Sequence, residues 1–211
     1  VRSKTSHGKV LDEIAALIKQ KYWGKCGIVY CLSRKNCEEV SDGLNLRLGG
    51  NHVSFYHAEL DQSVRSKRHH DWSNDNGIRI MCATIAFGMG INKPDVRFVM
   101  HYSLPKSPTH YYQESGRAGR DGEPADCIIF YSFGDRTILE SMITQDRETR
   151  RLRPMTESIR TQVENLNMMQ EYCTNEVTCR RRLLIQFFGD AFEKCDSKMC
   201  ICDNCKSGNS G

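Results

Sequence analysis

The sequence predicts an α/β fold in which helices flank a parallel sheet and a small helical subdomain follows. Up to about residue 140, short apolar runs alternate with amphipathic stretches, which is typical of strands alternating with helices in a parallel sheet. The runs are nearly continuous in apolar residues, which indicates a sheet covered on both faces. Beyond residue 140 only helical patterns remain.

The elements follow from local patterns in chain order. Val10, Ile14, Leu17 and Ile18 recur at helical intervals and predict the first helix. Apolar runs rich in β-formers predict strands over 27–32, 53–56, 78–83, 96–102 and 126–132. Between the strands, helices are predicted over 37–48 and 60–74, and the sequence GGN ends the first of them. The stretch 107–120 begins like a helix and ends in a glycine-rich turn. The later helices are predicted over 136–146, 155–173 and 178–188.

Composition excludes several classes of protein. The chain has 211 residues, of which 39% are hydrophobic, and its net charge is +4, so it is not an intrinsically disordered chain. It contains no apolar run long enough for a membrane span and no signal peptide, so we expect no membrane partner. The mild positive charge permits a nucleic-acid partner without indicating one. Because the sequence begins with Val1, we expect a piece of a longer protein, and the tail 207–211 is expected to be disordered.

The cysteines point to a metal site. Of the 11 cysteines, those from Cys173 onward crowd the C-terminal end, and an odd total without a signal peptide argues against a disulfide scaffold. Cys202 and Cys205 form a CxxC pair, the usual zinc chelate, and Cys179 opens a helix upstream. Cys195 and Cys200 compete for the fourth position. We favour Cys195, because a single residue between Cys200 and Cys202 strains a chelate. Four thiolates would make a closed structural Zn²⁺ site, and Cys173 is expected in the core.

The segment YYQESGRAGRDG (111–122) points to an anionic ligand. Arg117 and Arg120 lie three positions apart among glycines, and helical spacing would put both on one side of a helix. The planar guanidinium matches phosphate oxygens, and glycine lets the backbone approach a ligand closely. For an arbitrary Gly-Arg pair, a glycine-rich turn with solvated arginines would be the better interpretation, but the whole string QESGRAGRDG favours a phosphate site.

The string QESGRAGRDG resembles the last helicase motif of the RecQ family of DNA helicases. In the order of that family, GIVYCLSRKNCE (27–38), VSFYHAEL (53–60) and IMCATIAFGMGINKPDVRFVMHYSLPKS (80–107) resemble further motifs of its second RecA-like lobe. CRRRLLIQFFG (179–189) and CDNC resemble its zinc-binding subdomain, in which Cys195 lies nearer than Cys200 to the family's ligand position. The resemblance covers about residues 8–206 and is strongest to the eukaryotic Bloom-type members.

The resemblance assigns roles around ATP. It implies that Arg120 is the arginine finger acting on the γ-phosphate, that Arg117 supports the nucleotide network, and that Gln113 lies near the cleft between the lobes. Asn92 would lie near the nucleotide, with Gly88 and Gly90 providing turns beside it. The family's GK[ST] loop and DExH carboxylates, which hold phosphates and Mg²⁺, do not occur in these residues and would belong to a first lobe preceding Val1.

The resemblance also implies a path for single-stranded or duplex DNA at the carboxyl ends of the strands. Ser33 and Thr84 could equally be helix caps. Glu59 replaces the family's glycine in YHAEL and places a carboxylate near this path. The run TCRRR (178–182) is better read as a solvated face or as packing against acidic neighbours than as a DNA contact. The DNA-binding candidates are Ser33, Arg34, His57, Thr84 and Lys106.

These observations predict part of an ATP-dependent 3′-to-5′ DNA helicase of repair and recombination, nuclear in location and inactive without the first lobe in cis. The second RecA-like lobe would span 1–140 and the helical zinc-binding subdomain 141–206. The alternative is a non-catalytic, zinc-containing nucleic-acid-binding module. An intact GRAGR favours the enzyme, because an inert lobe has no need of a finger.

Overall fold

The computed structural model describes residues 1–87, 91–146, 149, 151–195 and 201–208. The strands are β1 (Arg2–Ser3), β2 (Cys26–Tyr30), β3 (Val53–Tyr56), β4 (Ile80–Ala83), β5 (Val96–His101) and β6 (Asp126–Tyr131). The helices are α1 (His7–Lys21), α2 (Arg34–Leu48), α3 (Gln62–Ser73), α4 (Pro108–Ser115), α5 (Phe133–Thr144), α6 (Glu157–Thr174), α7 (Arg180–Phe187) and α8 (Asp203–Lys206).

The described strands form one six-stranded sheet in the order β1-β6-β5-β2-β4-β3, and every neighbouring pair is parallel. This confirms the predicted α/β fold with a parallel sheet. The chain divides into two compact units. The sheet unit comprises Arg2–Ser103 and Gln113–Tyr131, and the helical unit comprises Val1, Leu104–Tyr112 and Ser132–Gly211.

Strand β2 lies at the centre of the sheet unit and is buried along its whole length. Because successive side chains of a strand point to opposite faces, Val29 packs with α1 and α2, whereas Ile28 and Tyr30 pack on the other face with Trp72 of α3. Helices therefore cover both faces of the sheet, which explains the continuous apolar strands.

Helix boundaries follow local capping. Helix α2 begins at Arg34, earlier than predicted, because the Ser33 hydroxyl accepts a hydrogen bond from the Asn36 amide at 3.2 Å. It ends at Leu48 and is capped by Gly49, whose φ of 79° is the left-handed conformation that glycine adopts most easily. Helix α5 likewise begins at Phe133 instead of 136, because Ser132 caps it.

The structure differs from the sequence prediction at the first strand. β1 pairs in parallel with β6, with Arg2 opposite Phe130, and the sequence analysis missed it because two residues are too short to show an alternating pattern. The predicted strand over 78–83 is shorter in the structure and begins at Ile80.

The helical unit has its own buried residues on α5 and α6: Leu139, Ile159, Leu166, Met169 and Cys173. Cys173 is 6% exposed, which confirms its expected place in the core. Within the described ranges, we find no helix with both the length and the apolar character that a membrane crossing requires.

We predict that Gly27→Ala destabilises the sheet unit. Gly27 lies opposite Phe98 of β5, and a Cβ at Gly27 would lie 2.0 Å from Cζ of that fully buried ring. Because the ring has no room to move, overpacking should lower the free energy of unfolding by about 1–3 kcal/mol. Urea unfolding measures the change. Gly8→Ala in α1 is the control, because its Cβ would meet only Arg47 at 3.9 Å. Equal stability of the two variants would contradict the packing argument.

Candidate metal centre and arginine motif

Four thiols converge in the helical unit. Cys179 and Cys202 precede α7 and α8 as their N-cap residues, and Cys205 lies within α8. The Sγ atoms of these residues and of Cys195 all lie within 4.8 Å of one another. The sulfur of Cys179 is 3.5 Å from that of Cys195 and 3.9 Å from that of Cys202. The structure therefore brings together the four cysteines favoured from the sequence, while Cys200 lies outside the described residues.

This arrangement fits a zinc ion. Zn–S bonds of about 2.3 Å in a tetrahedron place the sulfurs about 3.8 Å apart, close to the separations of Cys179 from Cys195 and from Cys202. Burial, reinforced by the neighbouring thiols, raises the pKa of Cys195 to about 12, so zinc binding would release protons. Only thiols make up the group among the described residues, which is typical of a closed structural site.

Hydrogen bonds next to the four-cysteine cluster connect the chain segments that carry it. Arg180, which is 6% exposed, donates to both carboxylate oxygens of Asp203, from Nε at 3.0 Å and Nη2 at 3.1 Å. The buried Asn204 amide donates to the carbonyls of Asn175 and Thr178 at 3.0 and 2.8 Å. These contacts join the turn before α7 to α8. Arg180 thus packs against an acidic neighbour.

The arginine motif lies on a turn that follows α4. The helix ends at Ser115, so the expectation that Arg117 and Arg120 share one side of a helix is wrong. Gly119 lies within this turn with a φ of +62°, and a Cβ there would lie 2.7 Å from the carbonyl oxygen of Glu123, so the turn requires glycine. The turn instead brings the loop beside the segment that precedes β5.

The residues assigned to the nucleotide are largely accessible. Arg120 is exposed, and its guanidinium donates only to backbone carbonyls among the described residues, from Nη1 to Ile91 at 3.0 Å and from Nε to Gly116 at 3.3 Å. Asn92 and Gln113 are exposed, whereas Arg117 is half-buried. Gly88 and Gly90 lie outside the described residues.

The sequence analysis missed Tyr30, His101 and Glu114, buried polar residues behind this motif, because each occurs in a stretch typical of a strand or helix.

Two of the candidate DNA-binding residues already contact other residues of the protein. Both lie at the carboxyl edge of the sheet, that is, where the parallel strands end. Ser33 caps α2, as its alternative interpretation predicted. His57 is 4% exposed, stacks on Phe55 and lies with Nε2 3.1 Å from a carboxylate oxygen of Glu38.

The remaining candidates are more accessible. Arg34 forms an ion pair with Glu59, the residue that departs from the family pattern. Thr84 is half-buried, and its hydroxyl accepts from the Ala86 amide at 3.4 Å. Lys106, in the helical unit, is exposed.

Comparisons with known proteins agree with this arrangement. A family model described as the helicase conserved C-terminal domain matches residues 9–122, and one described as RecQ zinc-binding matches residues 133–206. The chain is 44% identical to the ATP-dependent DNA helicase Q-like 4B of Arabidopsis thaliana, over 94% of this chain and 18% of that protein. It is also 44% identical to the RecQ-like DNA helicase blm-1 of Caenorhabditis elegans, over 93% of this chain and 19% of that protein.

A solved structure shares the fold. The DEAD box protein of the hyperthermophile Methanococcus jannaschii superposes with a TM-score of 0.54 at 27% identity, over 65% of this chain and 37% of that one. The chain thus spans about a fifth of each of the two curated relatives named above.

We predict that the chain binds about one zinc ion and that Cys195→Ser removes it. Losing one thiolate leaves an incomplete site, and because metal binding is coupled to folding of such small subdomains, proteases should then cut beyond residue 140 while the sheet stays folded. Zinc analysis and limited proteolysis measure both effects.

Two further variants complete this experiment, one as a control and one as a test of the alternative ligand. Cys173→Ser alters a buried cysteine outside the cluster and should keep the metal, and Cys200→Ser tests the alternative fourth ligand. Zinc lost from Cys200→Ser but kept by Cys195→Ser would reverse the assignment. A chain purified without zinc would contradict it altogether.

Proposed function

The chain belongs to the RecQ helicase family, and we propose that it is the second RecA-like lobe and zinc-binding subdomain of an ATP-dependent 3′-to-5′ DNA helicase. The observation that carries this proposal is the pairing, in one chain, of an accessible arginine motif with a four-thiol cluster. We further propose that the whole protein unwinds DNA in repair and recombination and acts in the nucleus.

The arginine motif supports a role in ATP hydrolysis. Arg120 is exposed and, among the described residues, its side chain donates only to two backbone carbonyls, so a phosphate can replace these contacts at little cost. A permanently charged guanidinium would then stabilise the charge on the transferred γ-phosphoryl group. Gln113 and Asn92, both exposed, would face the same ligand.

The partner of this lobe in the reaction is a first lobe in cis. In the proposed mechanism that lobe holds the ATP phosphates and Mg²⁺, while this lobe contributes the finger and part of the single-strand path. The chain alone therefore hydrolyses no ATP. The zinc ion, bound by thiolates only, stabilises the subdomain and takes no part in the reaction.

The carboxyl edge of the sheet supports only modest DNA binding by this lobe. The Ser33 hydroxyl is used as a cap, His57 is buried, and the charge of Arg34 is offset by Glu59. Phosphate contacts from the remaining groups would position a strand without reading its sequence. Much of the affinity would thus come from the other lobe.

Arg120→Ala in the protein that carries both lobes should abolish DNA-stimulated ATP hydrolysis. Because the finger acts on charge in the transition state, kcat should fall by about 10³-fold or more with the KM for ATP unchanged. Steady-state kinetics measure both constants. The control is Arg79→Ala, which removes an arginine paired with Asp75 ahead of β4. Unchanged kcat in Arg120→Ala would remove Arg120 from the site of ATP hydrolysis.

DNA binding by the isolated chain should be weak and should depend only shallowly on salt, because few phosphates are neutralised. Lys106→Ala removes an exposed lysine and should reduce the slope of log affinity against log salt by about 0.7, the value for one single-strand phosphate. Lys19→Ala, in the last turn of α1, is the control and should leave the slope unchanged. Titration of a labelled oligonucleotide at several salt concentrations measures it, and tight, salt-independent binding would contradict this interface.

A further inference from the structure

The arginine turn, residues 116–122, is attached to the start of β5 by hydrogen bonds between main-chain atoms. The amide of Gly119 donates to the carbonyl of Val96 at 2.9 Å. The amide of Asp121 donates to the carbonyl of Pro94 at 3.3 Å. Arg120 therefore lies between two residues whose main chain is bonded to the same short segment, and its place depends on how firmly the turn is held there.

Arg97, the second residue of β5, makes further contacts on both sides of this junction. Its Nη2 atom donates to both carboxylate oxygens of Asp121, each at 2.6 Å, and to the carbonyl of Pro94 at 3.3 Å. Its Nη1 atom donates to the carbonyl of Pro124, which follows the turn, at 3.5 Å, and its Nε atom donates to that of Asp95 at 3.2 Å. A guanidinium can serve several acceptors at once because its donors form a rigid fork. One side chain therefore joins the arginine turn to the segment that leads into β5.

The ion pair between Arg97 and Asp121 is shielded on the arginine side. The Arg97 side chain is 15% exposed, whereas Asp121 is accessible at the surface. The Glu123 amide donates to the same carboxylate at 3.1 Å. Hydrogen bonding to Arg97 holds the pKa of the Asp121 carboxyl below its usual range. The residue that directly follows Arg120 is therefore kept as an anion bonded to β5.

The segment that leads into β5 is itself anchored in the sheet unit. Lys93 is 8% exposed, and its ammonium donates to the carbonyl of Ser73, the last residue of α3, at 3.0 Å. The same ammonium lies 3.2 Å from a carboxylate oxygen of Asp75 and 3.2 Å from one of Asp95. Separating a buried charge from its partners is costly. Arg97 therefore joins the arginine turn to a segment that is fixed in place.

We propose that Arg97 is a positioning residue for ATP hydrolysis: through Asp121 it holds the arginine turn against β5 and so sets Arg120 before ATP arrives. Arg97 acts on the turn and not on the substrate. Its effect follows from preorganisation, because a guanidinium already in place stabilises the transition state without a further ordering cost. The inference rests on the proposed function of Arg120.

The test is Arg97→Met in the protein that carries both lobes. Methionine keeps much of the side-chain length but has no hydrogen-bond donor, so the ion pair and the carbonyl contacts are lost together. An accessible ion pair is worth up to about 5-fold in an equilibrium, so kcat should fall by about 5-fold with the KM for ATP unchanged. Steady-state kinetics measure both constants.

Arg47→Met is the matched control. The Nε atom of Arg47, in α2, donates to a carboxylate oxygen of Asp12 at 2.6 Å, and its two Nη atoms donate to backbone carbonyls. It thus loses the same kinds of contact, but away from the arginine turn. A purely structural role for Arg97 predicts equal kcat in the two variants, which would overturn the inference while Arg120→Ala still upholds the finger. If Arg120→Ala leaves kcat unchanged, the proposed function fails and the inference with it.

A double variant tests whether Arg97 acts through Asp121. Removing either partner breaks the same ion pair, so Arg97→Met combined with Asp121→Ala should lower kcat by no more than the larger of the two single losses, about 5-fold. Losses that multiply, to about 25-fold, are the result for residues that act independently, and they would contradict the proposed route.

A second measurement uses the chain alone and needs no ATP. The Asp121 amide, which donates to the Pro94 carbonyl, exchanges its hydrogen with water when the turn opens locally. Arg97→Met should speed this exchange, followed by NMR, by about 5-fold, whereas Arg47→Met should leave it unchanged. Equal exchange in the unaltered chain and in both variants would show that Arg97 does not hold the turn, and this result is independent of the role of Arg120.

Discussion

The hydrogen-bonded register between β2 and its neighbours β4 and β5 is the constraint on which the sheet unit depends. It sets Tyr30 level with Ala83 on one side and His101 on the other. Because the strands are parallel and end at the same level, the segments that leave them meet at one edge. The arginine motif approaches that edge from α4, and the buried His101–Glu114 pair fixes its approach. A slip of one residue would turn Tyr30 and His101 to the other face and dismantle the polar group.

The helical unit is stabilised in a different way. Its apolar core is small and drawn mainly from α5 and α6, whereas α7 and α8 are short. Thiols and buried polar contacts replace apolar burial there: Cys179 and Cys202 stand at the starts of two helices, and Arg180 and Asn204 tie those starts together. A metal ion adds most stability where the chain cannot bury enough apolar surface by itself.

Electrostatic pairing at the carboxyl edge limits what the sheet unit can bind. Arg34 lies against Glu59, so its charge near the expected DNA path is offset, and the His57 ring is already in contact with Glu38. Arg120, by contrast, is bonded only to carbonyl dipoles among the described residues. Arg120 therefore has no carboxylate partner among the described residues, whereas Arg34 has one.

Sequence alone determined much of this protein, because much of its information is local. Apolar periodicity located the strands and helices, the GRAGR string located the arginines, and the spacing of Cys179, Cys202 and Cys205 indicated a zinc site. The sequence could not show that α4 ends before Arg117, since the turn that follows is held by a long-range contact, in which the Gly119 amide donates to the Val96 carbonyl of β5 at 2.9 Å. It could not decide whether Ser33 is a cap or a DNA contact, and it could not show that His57 is buried or that Tyr30, His101 and Glu114 form one group. These facts depend on residues distant in sequence meeting through strand register and packing, which only the tertiary structure decides.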